Sequence, residues 1–230
     1  MINKIKKIIK TILAEEEKQK PPAKPLSPDE EAAAVEELLG QMLVVGGAAP
    51  AKAEPDLRLI GLFCEVTDEK IAELVHALLY LNEQNKLLEE KERKPVEFYI
   101  STYGGSADDM FALYDVMKMV EQEMEIHTIG MGKVMSAGVP LLAAGTKGKR
   151  KIGKNCRVMI HSVIAGQHGA LHNLLNEMEA IEQIQRMYIN CLVENTSMTK
   201  KDVKNMLERN VNVYLSAEEA VELGIADIII

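Results

Sequence analysis

Tryptophan is absent from this chain of 230 residues, and aromatic side chains of all kinds make up only 4% of it. Proteins that hold single-stranded nucleic acid need aromatic stacking platforms and a basic groove. Here 35 acidic residues outnumber 27 basic ones, and the formal net charge of -8 repels phosphate groups. The composition therefore predicts that no nucleic acid is bound.

Cysteine is scarce as well, and long apolar runs are missing. The three cysteines, Cys64, Cys156 and Cys191, form no CxxC pair, so neither a disulfide framework nor a zinc ribbon is encoded. No apolar run reaches the roughly 20 residues that cross a bilayer, and the N-terminus lacks the apolar stretch of a secretory signal. We therefore expect a soluble, cytoplasmic protein with no membrane partner.

Helix breakers divide the chain into an extension and a domain. Clusters of proline and glycine at 21–28 and 46–50 enclose one short helix rich in alanine, glutamate and leucine. A basic amphipathic helix over 1–13 precedes them, either as a frayed or removed terminus or as a membrane-surface or targeting segment. We predict a flexible or propeptide-like extension over 1–55 and one folded domain over 56–230.

Beyond residue 56, apolar runs of strand length alternate with helical periodicity. Strands are predicted at 57–64, 96–101, 126–130 and 157–160, and helices begin near Thr67, before Phe111, at Ser136, at His168 and after Ser216. The segment Ser216-Ala-Glu-Glu219 has the pattern of a capping box. This alternation predicts an α/β domain around a buried, largely parallel sheet.

Three features that could do chemistry lie where predicted strands end. They are the Gly104-Gly105 turn, the glycine-bearing turn from Gly130 to Gly138 with Ser136 in it, and His161 directly after a strand. Backbone N–H groups in such turns can hold an oxyanion. A serine at a helix start is usually an N-cap, a lone histidine at a strand end is usually structural, and the G-x-S-x-G pattern is absent. The residues alone leave both interpretations open.

The predicted helix 168–194 raises two further questions. His168 and His172 would share one face, yet no acidic or histidine partner stands at metal-ligand spacing, so we expect a solvated face and no metal. Apolar residues recur along the helix from Leu171 to Met187. That pattern is typical of a core helix and equally of a helix that contacts another subunit.

Four motifs occur in an order that identifies a family. They are Phe98-Tyr-Ile-Ser-Thr-Tyr-Gly-Gly105, Met135-Ser-Ala-Gly138, Arg157-Val-Met-Ile-His161 and Leu215-Ser-Ala-Glu-Glu-Ala-Val-Glu-Leu-Gly224. With them, the segment 57–230 closely resembles ClpP, the proteolytic subunit family of the ATP-dependent Clp protease. The resemblance implies a serine peptidase with an α/β, ClpP/crotonase-like fold of repeated ββα units and a protruding handle helix, which matches 168–194.

The resemblance also implies roles for individual residues. Ser136 becomes the nucleophile, His161 the general base, and Gly105 and Ala137 the backbone N–H donors of the oxyanion hole. The residue types agree with these roles, because imidazole activates a serine hydroxyl and glycine permits close approach of a substrate backbone. No cofactor is implied.

The chain departs from the family at the third member of the triad, which is usually an aspartate. Counting back from Leu215-Ser-Ala reaches Asn212, whereas counting forward from Glu208-Arg209 reaches Asn210, because this stretch is longer than the family usually has. We assign Asn212 and keep Asn210 as the alternative. An amide oxygen accepts a hydrogen bond from imidazole Nδ1–H but brings no counter-charge, so the variant triad predicts reduced activity. Tyr103, where the family commonly has proline, is a second departure.

The resemblance implies a homo-oligomer of two stacked heptameric rings around a chamber, fed with unfolded polypeptides by an AAA+ unfoldase ATPase. An alternative is a catalytically impaired ClpP-like subunit that acts as a structural or regulatory ring component. Two further alternatives are a crotonase-type acyl-CoA enzyme of the same fold and a Ser-Lys peptidase that uses Lys133.

Overall fold

One mixed sheet organises the part of the chain that the computed structural model describes, which is 56–166, 168–208 and 211–230. Its seven strands are β1 (Leu59–Leu62), β2 (Val96–Thr102), β3 (Ile126–Met135), β4 (Lys151–Ile152), β5 (Arg157–Ile160), β6 (Val213–Leu215) and β7 (Ile228–Ile229). The predicted helices over 1–13 and 29–45 lie outside the described residues.

The strands are mostly parallel, as the sequence predicts. The order is β1-β2-β3-β4-β7, with β5 beside the end of β3 and β6 beside β5. Only the β5–β6 pair is antiparallel in the described sheet. Side chains on the buried face of β2, such as Phe98 and Ile100, are fully enclosed, which fits a sheet covered by helices.

Helices separate the strands, and four of the six described helices begin at a residue whose side chain caps them. They are α1 (Asp68–Lys86), α2 (Ala107–Val120), α3 (Gly138–Ala143), α4 (Leu171–Asn195), α5 (Lys200–Leu207) and α6 (Ala217–Glu222), with a 3₁₀ turn at Glu90–Glu92. Thr67 caps α1 with its side chain, and Ser216 and Glu219 form the predicted capping box at α6. The predicted α/β class is confirmed.

The core lies between the sheet and the helices, with α1 to α3 and the C-terminal end of α4 contributing to it. Its largest enclosed side chains include Leu78, Met110, Leu113, Met117 and Leu141. Burial of each such side chain contributes about 1.5–3 kcal/mol relative to exposure. The core therefore holds the carboxyl ends of β2, β3 and β5 in fixed positions beside one another.

Strand β3 is longer than predicted, because it changes partners along its length. It pairs with β4 at Ile129 and Gly130 and with β5 from Lys133 to Met135. Gly132 lies between these two stretches with a φ of 66°, a value that favours glycine. The predicted glycine-rich turn is thus mostly strand, and it ends in a short turn only at Ser136.

Helix α4 is buried at its C-terminal end and exposed at its N-terminal end. It begins at Leu171, three residues later than predicted, and its buried side chains all lie between Tyr188 and Asn195. Leu171, Leu175 and Met178 are 67%, 54% and 59% exposed. Its N-terminal half is therefore not a core helix within one chain. No helix among the described residues is both long and apolar enough to cross a membrane.

Candidate active site

Ser136 lies at the turn between β3 and α3 in a strained backbone conformation. Its φ of 52° makes it the only non-glycine residue with positive φ in the described ranges, a state that costs of order 1–3 kcal/mol. The backbone N–H of Ser136 donates to the Met159 carbonyl at 2.8 Å, which ties the turn to β5. Strain of this kind clusters at functional sites.

The N-cap interpretation of Ser136 is wrong. Helix α3 begins at Gly138, its N-cap residue is Ala137, and no side chain caps it. A strand-to-helix turn that exposes a serine hydroxyl has the geometry of a nucleophile elbow. It forms here without the G-x-S-x-G pattern, because Met159 and the neighbouring Gly104 hold the turn.

Two glycines bring a second loop against this turn. A Cβ atom on Gly104 would lie 2.6 Å from the Ser136 Cβ, and one on Gly105 would lie 2.3 Å from the Val66 oxygen. Both positions also have positive φ, 102° and 150°. The Val66 N–H donates to the Gly104 carbonyl at 2.8 Å, and the Ser106 N–H donates to the Val66 carbonyl at 2.9 Å. Only glycine fits this close approach.

The backbone N–H groups of the two proposed oxyanion donors have no acceptor among the described residues. Within the described residues, neither the Gly105 N–H nor the Ala137 N–H donates a hydrogen bond. Both residues line one cavity of about 480 Å³, together with Ser136 and His161. The structure therefore brings together Ser136, His161, Gly105 and Ala137, the four residues to which the family resemblance gave roles. It shows no hydrogen bond between the Ser136 hydroxyl and the His161 ring.

His161 follows β5 and is half-buried. The parallel register pairs Met135 with Met159, so Ser136 and His161 both lie just beyond the carboxyl ends of adjacent strands. The loop after His161 is anchored twice. The Ser162 hydroxyl donates to the Leu207 carbonyl at 2.6 Å, and the Val163 N–H donates to Gln185 Oε1 at 3.2 Å.

Asn212 lies opposite His161 when the antiparallel register of β5 and β6 is extended by one residue. The pairing matches Val158 with Leu215 and Ile160 with Val213, and directly opposed residues project from the same face. Asn212 and His161 also line a second cavity of about 200 Å³. The Asn212 side chain is exposed, and Asn210 lies outside the described residues.

Lys133 lies over the ring of Tyr103, with its Nζ atom 4.5 Å from the ring centroid. This cation–π contact gives the tyrosine at the position of the family's proline a physical role. Tyr103 also lines the 480 Å³ cavity, whereas Lys133 does not. The Ser-Lys interpretation therefore receives no geometric support.

The predicted shared face of His168 and His172 is wrong. Helix α4 begins at Leu171, so His168 precedes it. Both histidines are exposed. The described residues contain no group of three or more histidine, cysteine or acidic side chains that could hold a metal ion.

Sequence reasoning missed Tyr188 and Glu177, which reach the same cavity from α4. The Tyr188 hydroxyl donates to the Ser136 carbonyl at 3.2 Å. Burial, and secondarily Cys191, raises the pKa of Tyr188, so the phenol remains protonated. In the sequence Tyr188 is one more apolar position of an amphipathic helix, and no local signal distinguishes it.

Comparisons with known proteins agree with this architecture. The family model described as Clp protease matches residues 55–230. A proteolytic subunit 1 of the ATP-dependent Clp protease from Prochlorococcus marinus subsp. pastoris is 32% identical over 173 residues, covering 75% of this chain and 83% of that protein. A protein of the same name from Prochlorococcus marinus strain MIT 9312 is 33% identical, covering 75% and 84%. The chain spans most of each relative and matches the family model over residues 55–230, and so it belongs to the Clp protease family.

Proposed function

We propose that this Clp protease subunit is a serine-type endopeptidase that hydrolyses unfolded polypeptides with Ser136 as the nucleophile. The observation that carries the proposal is the shared cavity of Ser136, His161, Gly105 and Ala137. A strained serine, a neighbouring imidazole and two free N–H donors are the parts that acyl transfer needs.

The reaction follows from these positions. His161 takes the hydroxyl proton while Ser136 Oγ attacks the carbonyl carbon of the scissile amide. The carbonyl oxygen becomes an oxyanion and accepts hydrogen bonds from the Gly105 and Ala137 N–H groups. His161 then gives its proton to the leaving amine as the C–N bond breaks. Water, activated by the same imidazole, hydrolyses the acyl-enzyme and releases Ser136.

Asn212 is our proposed third member of the triad. Its position opposite His161 in the extended β5–β6 register supports it over Asn210. Its amide oxygen would accept a hydrogen bond from the Nδ1–H group and so fix the imidazole tautomer. Because an amide carries no charge, the imidazolium that forms during attack is less stabilised than beside a carboxylate.

Assembly into two stacked heptameric rings fed by an AAA+ unfoldase is part of the same proposal. The exposed apolar side chains of α4 support it, because a monomer would leave Leu171, Leu175 and Met178 in water. Both named relatives are subunits of an ATP-dependent protease. Sedimentation should show a large complex, and a stable monomer at micromolar concentration would contradict this part.

Residues 1–55 are proposed to form a separate extension, supported by the family match that starts at residue 55. Limited proteolysis should remove them while 56–230 stays intact. Protection of the extension under those conditions would make it an integral part of the folded domain.

A catalytically impaired ring subunit is the second candidate, and the neutral Asn212 favours it. A fluorophosphonate probe separates the two, since it reacts only with an activated serine. Mass spectrometry should place the adduct on Ser136, and Ser136→Ala should not react. An unlabelled but correctly assembled parent would instead support the structural or regulatory role. Family membership weighs against the acyl-CoA alternative.

A further inference from the structure

The peptide group between Ser136 and Ala137 is held at its carbonyl end. The Ser136 carbonyl accepts two hydrogen bonds, from the Val139 N–H at 3.0 Å and from the Tyr188 hydroxyl at 3.2 Å. The first of these closes a local turn, whereas the second comes from α4, far away in the sequence. The orientation of this one peptide therefore depends on a distant phenol.

A planar trans peptide transmits that restraint to its other end. Its C=O and N–H groups point in opposite directions, so bonds that fix the Ser136 carbonyl also fix the direction of the Ala137 N–H. The described residues contain no cis peptide that would change this relation. Ala137 supplies one of the two proposed oxyanion donors.

The turn needs a restraint of this kind, because Ser136 has a φ of 52°. A non-glycine residue keeps that conformation only when its surroundings over-determine it. Tyr188 is suited to the task. It is only 6% exposed, and its neighbours Ile189 and Leu192 anchor α4 in the core. A protonated phenol donates a hydrogen bond throughout the neutral pH range.

We propose that Tyr188 is a positioning residue, which aims the Ala137 N–H at the oxyanion through its hydrogen bond to the Ser136 carbonyl. The proposal rests on the proposed function and deepens it. Tyr188 acts only through the nucleophile turn, and its contribution appears where negative charge develops on the substrate.

Such a role predicts a specific kinetic signature. An oxyanion bond strengthens in the transition state, so a misdirected donor lowers kcat and leaves KM unchanged. Loss of a whole oxyanion donor costs about 10²–10³ in kcat, and a misaligned donor should cost less, about tenfold. Peptide aldehydes, which form a tetrahedral adduct on serine, should lose affinity by a similar factor.

The test compares Tyr188→Phe with Tyr114→Phe. Tyr114 is also a buried phenol, hydrogen-bonded to Glu194 and Asn195, but it does not line the cavity. Rates for a short fluorogenic peptide are divided by the concentration of active sites titrated with the fluorophosphonate. Unfolded protein then does not lower the measured kcat. Unfolding midpoints and ring assembly are measured in parallel.

Tyr188→Phe should lose about tenfold in kcat and in aldehyde affinity with KM unchanged, whereas Tyr114→Phe should lose stability alone. Equal kinetic losses in both variants, or an unchanged kcat for Tyr188→Phe, would overturn the proposal while labelling of Ser136 leaves the peptidase function standing. Failure of the parent to react with the probe would overturn both.

Discussion

Gly104 and Ser136 are so close that a Cβ atom on the glycine would lie 2.6 Å from the Cβ of the serine. The two residues come from different loops, one after β2 and one after β3. Their contact sets the distance between the proposed nucleophile and the loop that carries the Gly105 N–H. The geometry of the site therefore requires a residue without a Cβ atom at position 104.

Gly104→Ala should abolish most of the peptidase activity. The added methyl group must push the two loops apart, and a displacement of about 1 Å at a reacting group costs about 10²-fold in rate. Gly148→Ala is the matched control, since Gly148 also has positive φ but has nothing within 4 Å of its added Cβ. Similar losses of activity in both variants would show that backbone strain, and not the contact with Ser136, matters.

Asn212→Asp should raise peptide hydrolysis, because a carboxylate opposite His161 stabilises the imidazolium. The gain has an upper bound of about 10⁴, the loss caused by the reverse change in trypsin. Asn210→Asp serves as the position control and should change little, and Ser136→Ala should be inactive. If the parent already cleaves well and Asn212→Asp gains nothing, the amide is a fully working triad member.

Glu177 should favour substrates with a basic side chain near the scissile bond. Its half-buried carboxylate lines the cavity and has no ion-pair partner among the described residues. Glu177→Gln should reduce the ratio of kcat/KM for lysine-containing over leucine-containing peptides by up to about fivefold, the value of an ordinary ion pair. Glu179→Gln, an exposed position on the same helix outside the cavity, should leave the ratio unchanged.

The ion pair of Arg150 and Asp227 should make the stability of the fold depend on pH in the acid range. Arg150 is nearly enclosed and donates to Asp227 and to the carbonyls of Ala143 and Asn195. Burial acts to raise the pKa of Asp227, but hydrogen bonds and charge from Arg150 outweigh it and hold the pKa below the ordinary value of 3.8. The carboxylate therefore stabilises the fold above that value, and the stabilisation is lost as pH falls through the lower folded pKa.

Asp227→Asn should be less stable than the parent at neutral pH by about 3 kcal/mol, since it leaves a buried guanidinium without its counter-charge. The difference should shrink as the pH falls below 3.8, because the parent then loses the same charge. Urea unfolding at equal protein concentration over this pH range measures both effects. A difference that stays constant down to the acid limit would contradict the assigned pKa direction.

Features encoded by neighbouring residues were predictable from the sequence. Strand β5 has its predicted bounds, and the capping box at Ser216 forms with both of its hydrogen bonds. The conformation of Ser136 was not predictable, because it depends on Met159 and Gly104, which lie far away in the sequence. Tyr188 was missed for the same reason, since only the packing of α4 brings its hydroxyl to the turn at Ser136.

The antiparallel pairing of β5 and β6 has a consequence for how this family can vary in length. Side chains along a strand alternate between two faces, so a slip of one residue turns each of them to the opposite side. Asn212 stands three positions before Leu215, and extending the register of the pair places it opposite His161. Residues added or removed before Asn212 leave that count unchanged, whereas one residue inserted between Asn212 and Leu215 would turn the Asn212 side chain away from His161.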